Sequence, residues 1–329
     1  MKNFYNKVAA ITGAGSGIGQ ATAIALAEEG CHLALSDISE NSLQDTVDRL
    51  SDHPVEVTSH VVDVGRREAV YQYADDCIKA HGHVNLIINN AGVGLGETVE
   101  AMSYENFEWL MNINFWGVVY GTKAFLPHLM ASGDGHVINI SSVFGLVAVP
   151  GQSAYNAAKF AVRGFTEALR QEMLVGGHPV KVTCVHPGGI KTNVARNAAV
   201  ADNEDQQSFA DFFDKRLAHK SPDMAAATIL RGVAKGHSRV LIGWDAKSLD
   251  VLARITGPSY QRVIAAAVAR FARVRAAGSE GGRSAAVEQQ QEARGLGHVL
   301  RDRAAALLRL AVRAPEFRLV QLVQEGGAE

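Results

Sequence analysis

The chain has 329 residues, 47% hydrophobic and 20% charged, the balance of a folded protein with one large core or a core plus an appendage. Its formal net charge of -2 gives no electrostatic case for nucleic acid or for an anionic membrane surface. No run reaches about 18 uninterrupted apolar residues, the length a bilayer span requires. Three cysteines, Cys31, Cys77 and Cys184, form no C-x-x-C pair and leave an odd count, which argues against a disulfide framework. The N-terminus runs at once into a strand and a glycine-rich loop, without an apolar export region or cleavage site. The sequence therefore predicts a cytoplasmic, soluble protein.

In chain order, a strand-like run at 8–12 leads into Thr12-Gly13-Ala14-Gly15-Ser16-Gly17-Ile18-Gly19, which opens a helix expected over 18–29. The usable spacing is G-x-x-x-G-x-G, on Gly13, Gly17 and Gly19, rather than G-x-G-x-x-G. Glycines there let the backbone turn tightly and approach a pyrophosphate at the helix N-terminus; the bland alternative is a tight connection. A second strand, 33–36, leads to Asp37, 18 residues past Gly19. A carboxylate there is placed to accept hydrogen bonds from an adenosine ribose and to repel a 2′-phosphate. Neither Ser16 nor Ile38 supplies a compensating cation, so the sequence favours NAD over NADP. The competing role for Asp37 is a helix cap, which Ser39 can fill for a helix over 42–50. After a third strand, 55–61, Asp63 is placed as an acceptor for the adenine amino group or as an ordinary loop carboxylate.

A helix over 69–81, a strand at 86–88 and a long helical stretch at 104–130 follow. The next strand, 136–140, is followed by Ser141 and Ser142, and the helix expected over 153–175 carries Tyr155 and Lys159 one turn apart. Tyrosine titrates near 10 in water, and a fixed ammonium would favour its phenolate and bring it towards the working range. A hydroxyl at Ser142 can hydrogen-bond a carbonyl oxygen as charge develops on it. A tyrosine and a lysine on a helix are more often a packed ring and a solvated amine. What decides for chemistry is that the glycine-rich turn, Asp37 and Ser142 all fall on one edge of one sheet. A strand at 180–185, a helix at 224–235 and a strand at 240–242 complete the series. Repeated βα units predict an α/β fold: a Rossmann-type doubly wound parallel sheet with helices on both faces. Ligands of such sheets bind beyond the carboxyl ends of the strands.

Two segments break this rhythm. Residues 190–220 form a long connection carrying Phe209, Phe212 and Phe213, the length of a lid, a binding loop or a disordered segment. From Lys247 onward the chain has no further lysine but 12 arginines, many alanines and a polar stretch at 278–291. This shift divides a catalytic domain, 1–245, from a C-terminal extension, 246–329, expected to be partly helical, with partial disorder as the alternative for the rest. One or two basic amphipathic helices are expected within 248–275 and another over 298–313. A solvated or interface-packing tail is the leading role for them; peripheral membrane contact and a tail with no stable fold are the alternatives.

The motifs together resemble the short-chain dehydrogenase/reductase family over residues 7 to about 243. They are TGAGSGIG at 12–19, Asp37, Asp63-Val64, NNAG at 89–92, Asn114, ISS at 140–142, YNAAK at 155–159 and PGGIKT at 187–192. The resemblance implies Tyr155 as acid/base, Lys159 lowering its pKa and binding the nicotinamide ribose, and Ser142 polarising the substrate oxygen. Asn114 would hold a water linking Lys159 to solvent. It places the cofactor against Gly13, Ser16, Gly17, Ile18, Gly19, Asp37, Asp63, Val64, Asn90, Ala91, Gly92, Tyr155, Lys159, Pro187, Gly188, Ile190 and Thr192. Ile190 and Thr192 would position the carboxamide, and Ser142, Phe144 and Tyr155 would meet the substrate. Family helices matching 104–130 and 153–175 pair between subunits, so a homodimer or homotetramer is expected.

The expected activity is reversible hydride transfer between a secondary alcohol or ketone and NAD, without a metal, since the 12 histidines include no H-E-x-x-H or clustered ligand spacing. Val93, Leu95, Phe144, Leu146 and Val147 are expected to give the site an apolar lining, with the fold's core or a subunit interface as the alternative place for them. An NADPH-dependent carbonyl reductase is the alternative within this class. A dinucleotide-binding regulator without turnover is the alternative outside it.

Overall fold

The computed structural model describes residues 3–192, 199–200 and 220–279. Phe209, Phe212, Phe213 and the helix expected over 298–313 lie outside them. The chain divides into two units between Ala253 and Arg254.

The first unit is built on seven parallel strands: β1 (Val8–Thr12), β2 (His32–Asp37), β3 (Val57–Val61), β4 (Leu86–Asn89), β6 (Gly135–Ile140), β7 (Val180–Pro187) and β9 (Arg239–Ile242). Their order is β3-β2-β1-β4-β6-β7-β9. A short parallel pair joins β5 (Leu95–Gly96) to β8 (Ala199–Val200). Helices α1 (Gly17–Glu28), α2 (Glu40–Arg49), α3 (Arg67–His81), α4 (Tyr104–Met111), α5 (Gly117–Ala131), α6 (Ser153–Val175) and α7 (Pro222–Ala234) link the strands. Helix α8 (Trp244–Thr256) crosses the division, and α9 (Tyr260–Ser279) belongs to the second unit.

The sheet is covered on both faces, and residue alternation sorts its side chains between two cores. Ala9, Ile11, Leu33, Leu35, Ile138 and Val185 pack on one side with α1, α2 and α7. Val8, Ala10, Ala34, Val137 and Val182 pack on the other with α3, α5 and α6. Central strands therefore read as unbroken apolar runs, whereas edge strand β3 leaves Ser59 and Val61 exposed. The three cysteines are buried and free, and burial pushes each thiol up to about 12, the state of packing residues rather than nucleophiles.

Strand order reverses between β1 and β4, which opens a crevice above their carboxyl ends. A buried polar chain ties the neighbouring elements together there. The Asn89 amide donates to Thr122 Oγ1 (3.1 Å) and Asn139 Oδ1 (2.8 Å), and Asn139 Nδ2 donates to Thr166 Oγ1 (3.0 Å). The stretch expected as one helix over 104–130 is interrupted by a π turn, Asn112–Trp116. Its apolar spacing passes straight through the extra residue, but the backbone is re-aimed at Asn114.

Candidate active site

The turn after β1 is held where only glycine fits. Gly13 and Gly17 have φ of 65° and 57°, in the left-handed region. A Cβ on Gly19 would lie 2.1 Å from the Gly13 oxygen and 2.6 Å from Asn90 Nδ2. Asn90 Nδ2 donates to the Thr12 and Gly13 carbonyls, both at 3.0 Å. Thr12 Oγ1 in turn accepts from the Asn90 and Ala91 backbone N–H groups at 3.0 and 3.1 Å. The turns after β1 and β4 are thus bolted into one cradle. Ser16, Gly17 and Ile18 line the crevice at the positive end of the α1 dipole, and the Ser16 side chain makes no cap.

Asp37 sits at the mouth of this cradle. Its Oδ2 accepts from the Gly15 N–H (2.9 Å) and its Oδ1 from the Ser39 N–H (3.0 Å). Ser39 Oγ accepts from Ser42 and caps α2, so the helix does not need Asp37 as its cap. Asp63 Oδ1 closes the turn after β3 by accepting from the Gly65 N–H (2.9 Å). Both carboxylates line the crevice, and Lys159 is the one cation among its described lining residues.

At the other end lie Ser142, Tyr155 and Lys159. Lys159, 4% exposed, donates from Nζ to the Ile140 carbonyl (3.1 Å), 5.6 Å from the centre of the Tyr155 ring. Ser141 Oγ secures the helix by donating to the Lys159 carbonyl (2.8 Å). Burial brings the Lys159 ammonium down to about 8. Burial also holds the Tyr155 phenol above its ordinary value, and the hydrogen bond with Ser142 pulls it partway back. The direction is opposite to the one expected from the lysine charge: burial, the larger cause, raises Tyr155, and what lowers it is the Ser142 hydrogen bond.

Asn114 is fully buried on the π turn. Its Oδ1 accepts from the Val93 N–H and its Nδ2 donates to the Val93 carbonyl, both at 2.8 Å. A Cβ on Gly92 would stand 3.0 Å from Asn114 Oδ1 and 3.5 Å from Lys159 Nζ, so the three converge on one point. His186, which no motif singled out, supports Ser142 from behind. Burial pushes its imidazole down to about 4, so the neutral ring places Nδ1 2.9 Å from the Ser142 carbonyl.

Pro187, Gly188, Ile190 and Thr192 close the crevice, and Thr192 Cγ2 would lie 3.2 Å from a Cβ on Gly17. The resulting volume is about 390 Å³. A larger depression of about 670 Å³ on the α4 and π-turn surface, lined by residues such as Glu105, Glu108 and Trp116, holds none of these groups.

Residues 7–203 match the family model of the short chain dehydrogenases. The chain belongs to the short-chain dehydrogenase/reductase family. SadH of Mycobacterium tuberculosis, named an oxidoreductase, is 61% identical over 271 residues, spanning 82% of this chain and 98% of SadH. The solved structure of a Burkholderia phymatum short-chain dehydrogenase/reductase in complex with NAD superposes with a TM-score of 0.73. It is 30% identical and covers 77% of this chain and 95% of that one. An alcohol dehydrogenase from Thermococcus sibiricus complexed with 5-hydroxy-NADP gives 0.60 at 28% identity, covering 71% and 94%.

Against the family pattern, the crevice lining includes Gly13, Ser16, Gly17, Ile18, Asp37, Asp63, Val64, Asn90, Ala91, Gly92, Ser142, Tyr155, Lys159, Pro187, Gly188, Ile190 and Thr192. Gly19 and Asn114 stand just behind that lining. Of the five apolar residues expected around the site, Val93 lines it, and Phe144 meets the Tyr155 ring edge-on at 6.3 Å. Leu95, Leu146 and Val147 are instead buried in the protein, and Trp109 and Ile113 from the α4 side line the crevice in their place. Thr12, Gly15 and His186 carry supporting contacts that the motifs did not single out. Gly19→Ala should destabilise the fold by about 1–3 kcal/mol, because its neighbour is backbone that has nowhere to go. Denaturant unfolding would show this as a lower midpoint at unchanged slope.

Proposed function

We propose that the protein is an NAD-dependent oxidoreductase that moves hydride reversibly between a secondary alcohol or ketone and the nicotinamide, with Tyr155 as acid/base. The observation that carries this reading is the convergence of Ser142, Tyr155 and Lys159 at one end of a crevice whose other end is the glycine cradle and Asp37. The cradle fits a dinucleotide because it brings backbone, not side chain, to the helix N-terminus. When bound, the nicotinamide supplies or accepts the hydride. The chain's own part is to hold the oxygen and move a proton. Ser142 hydrogen-bonds the substrate oxygen, and Tyr155 gives it a proton on reduction or takes one on oxidation. A phenol held above its ordinary pKa favours donation at neutral pH, so alcohol oxidation should quicken as pH rises while ketone reduction fades.

Asp37 supports NAD over NADP. A ribose 2′-hydroxyl can donate to its carboxylate, whereas a 2′-phosphate would meet its like charge with no lining cation beside it. NADH should bind at least about tenfold more tightly than NADPH, a difference of about 1.4 kcal/mol. Parallel fluorescence titrations with the two reduced cofactors test this. Tighter NADPH binding would favour the biosynthetic carbonyl reductase. Binding without turnover of any alcohol or ketone would favour a silent regulator, a role for which four intact catalytic positions are unnecessary.

Subunit pairing through α4–α6 is part of the same reading. Tyr104, Trp116 and Phe160 are exposed there, and Trp116 stacks on Tyr120 at 5.8 Å. No helix among the described residues is long and apolar enough to cross a membrane.

A further inference from the structure

The segment 188–192 is fastened by two residues that belong to none of the family motifs quoted above. Asp245, in the first turn of α8, accepts the Gly189 N–H on Oδ2 at 2.8 Å. Its other oxygen, Oδ1, accepts from Lys220 Nζ at 2.5 Å. Lys220 grips the same segment through its backbone: its carbonyl accepts from the Lys191 N–H at 3.0 Å, and it forms a parallel bridge with Ile190. Beneath them the Gly188 N–H donates to the Ile242 carbonyl at 3.1 Å. Three points along five residues are therefore tied to one carboxylate, the backbone of its lysine partner and the end of β9.

The packing leaves room for nothing else. A Cβ on Gly188 would fall 2.3 Å from Asp245 Oδ2. One on Gly243, whose φ is 96°, would fall 2.4 Å from Asp245 Oδ1 and 2.3 Å from Lys220 Cε. Glycines stand on both sides of the pair so that the carboxylate can approach the backbone. The pair is largely shielded, with side-chain exposures of 12% for Lys220 and 27% for Asp245. Burial alone would raise the Asp245 carboxyl, but Lys220 and the Gly189 and Ala246 N–H groups together hold it below its ordinary range, so it stays charged at neutral pH. A carboxylate in the first turn of α8 also meets the positive end of that helix dipole.

We propose that the Asp245–Lys220 pair is a latch that positions the 188–192 segment against the nicotinamide end of the bound cofactor. It rests on the reading that this segment contacts NAD. The latch touches neither cofactor nor substrate; it acts by fixing where Ile190 and Thr192 present themselves in the crevice lining. Covalent distance hides the device, since 25 residues separate the two partners. Geometry joins them: the first turn of α8, the end of β9 and Lys220, two residues before α7, meet over one stretch of five residues.

The test is a double-mutant cycle on the full chain with Asp245→Asn, Lys220→Met and the pair combined, alongside Lys220→Arg. Dissociation constants for NADH come from fluorescence titration and melting temperatures from the same preparations. Each single variant should weaken NADH about tenfold, the double variant should be no worse than either single, and Lys220→Arg should restore most of the affinity. A melting temperature unchanged while affinity falls marks positioning rather than general support of the fold. NADH affinity within twofold of wild type in all variants, or losses that simply add in the double variant, would overturn the latch. If Asp245→Asn does not fold, the Lys220→Met and Lys220→Arg pair alone decides, since a latch needs the cation and the two must differ. A wild-type chain that binds neither NADH nor NADPH would defeat the dinucleotide reading itself, a result distinct from failure of the latch.

Discussion

Tyr155→Phe should lower turnover by on the order of 10³-fold while leaving NADH binding near wild type, the loss expected when a positioned general acid is removed. The ring stays, so its edge contact with Phe144 and its packing beside Lys159 survive; what goes is the hydroxyl that exchanges a proton with the substrate oxygen. Initial rates across a pH series would show the difference in form as well as size. The wild type should gain oxidation rate with rising pH, and the variant should lose that dependence. Substantial retained turnover would remove Tyr155 from the chemistry.

Lys159→Met should have opposite effects on activity and stability. Turnover should fall by about 10²-fold or more, because the ammonium beside the phenol is lost. Stability should rise. The Lys159 pKa is brought from 10.5 down to about 8 on folding, so between those values the unfolded chain binds more protons and stability climbs with pH. Below pH 8 the whole penalty is present, about 3 kcal/mol by linkage. Methionine fills similar space without a charge, though it leaves the Ile140 carbonyl without this donor, at about 1 kcal/mol. The net expectation is a gain of about 1–2 kcal/mol at pH 7, shrinking above pH 8. Denaturant unfolding at pH 7 and pH 10 would reveal it; a destabilised variant at pH 7 would mean that Lys159 is retained for the fold and not for catalysis.

Much of this arrangement was legible because the chemistry is local. The central strands are covered on both faces and therefore announce themselves as unbroken apolar runs, and the sharp turn after β1 demands glycine at Gly13, Gly17 and Gly19. Tyr155 and Lys159 fall one helical turn apart, a spacing that survives any detail of packing. Edge strand β3 was read two residues too early, at 55, because Val55 is apolar but packs outside the ladder. The π turn was invisible, since inserting one residue into a helix leaves an apolar pattern that still resembles a helix. Leu95, Leu146 and Val147 looked like pocket lining, yet nearness in sequence to a site residue does not say which way a side chain points. The expected lowering of Tyr155 by Lys159 was a charge argument made without burial, and burial is the larger cause at that phenol and raises it. His186, Asp245 and Lys220 depend on contacts across 25 to 56 residues, for which no short spacing exists.

The central claim is that hydride passes between a nicotinamide and a carbinol carbon under the control of Tyr155. Its most direct test supplies NADH deuterated at the transferring position to wild type and Tyr155→Phe with a panel of secondary ketones, and weighs the alcohols by mass spectrometry. The account predicts one deuterium per molecule of alcohol formed by the wild type, and next to no alcohol from the variant. Unlabelled alcohol, or labelled alcohol formed equally well by Tyr155→Phe, would contradict it.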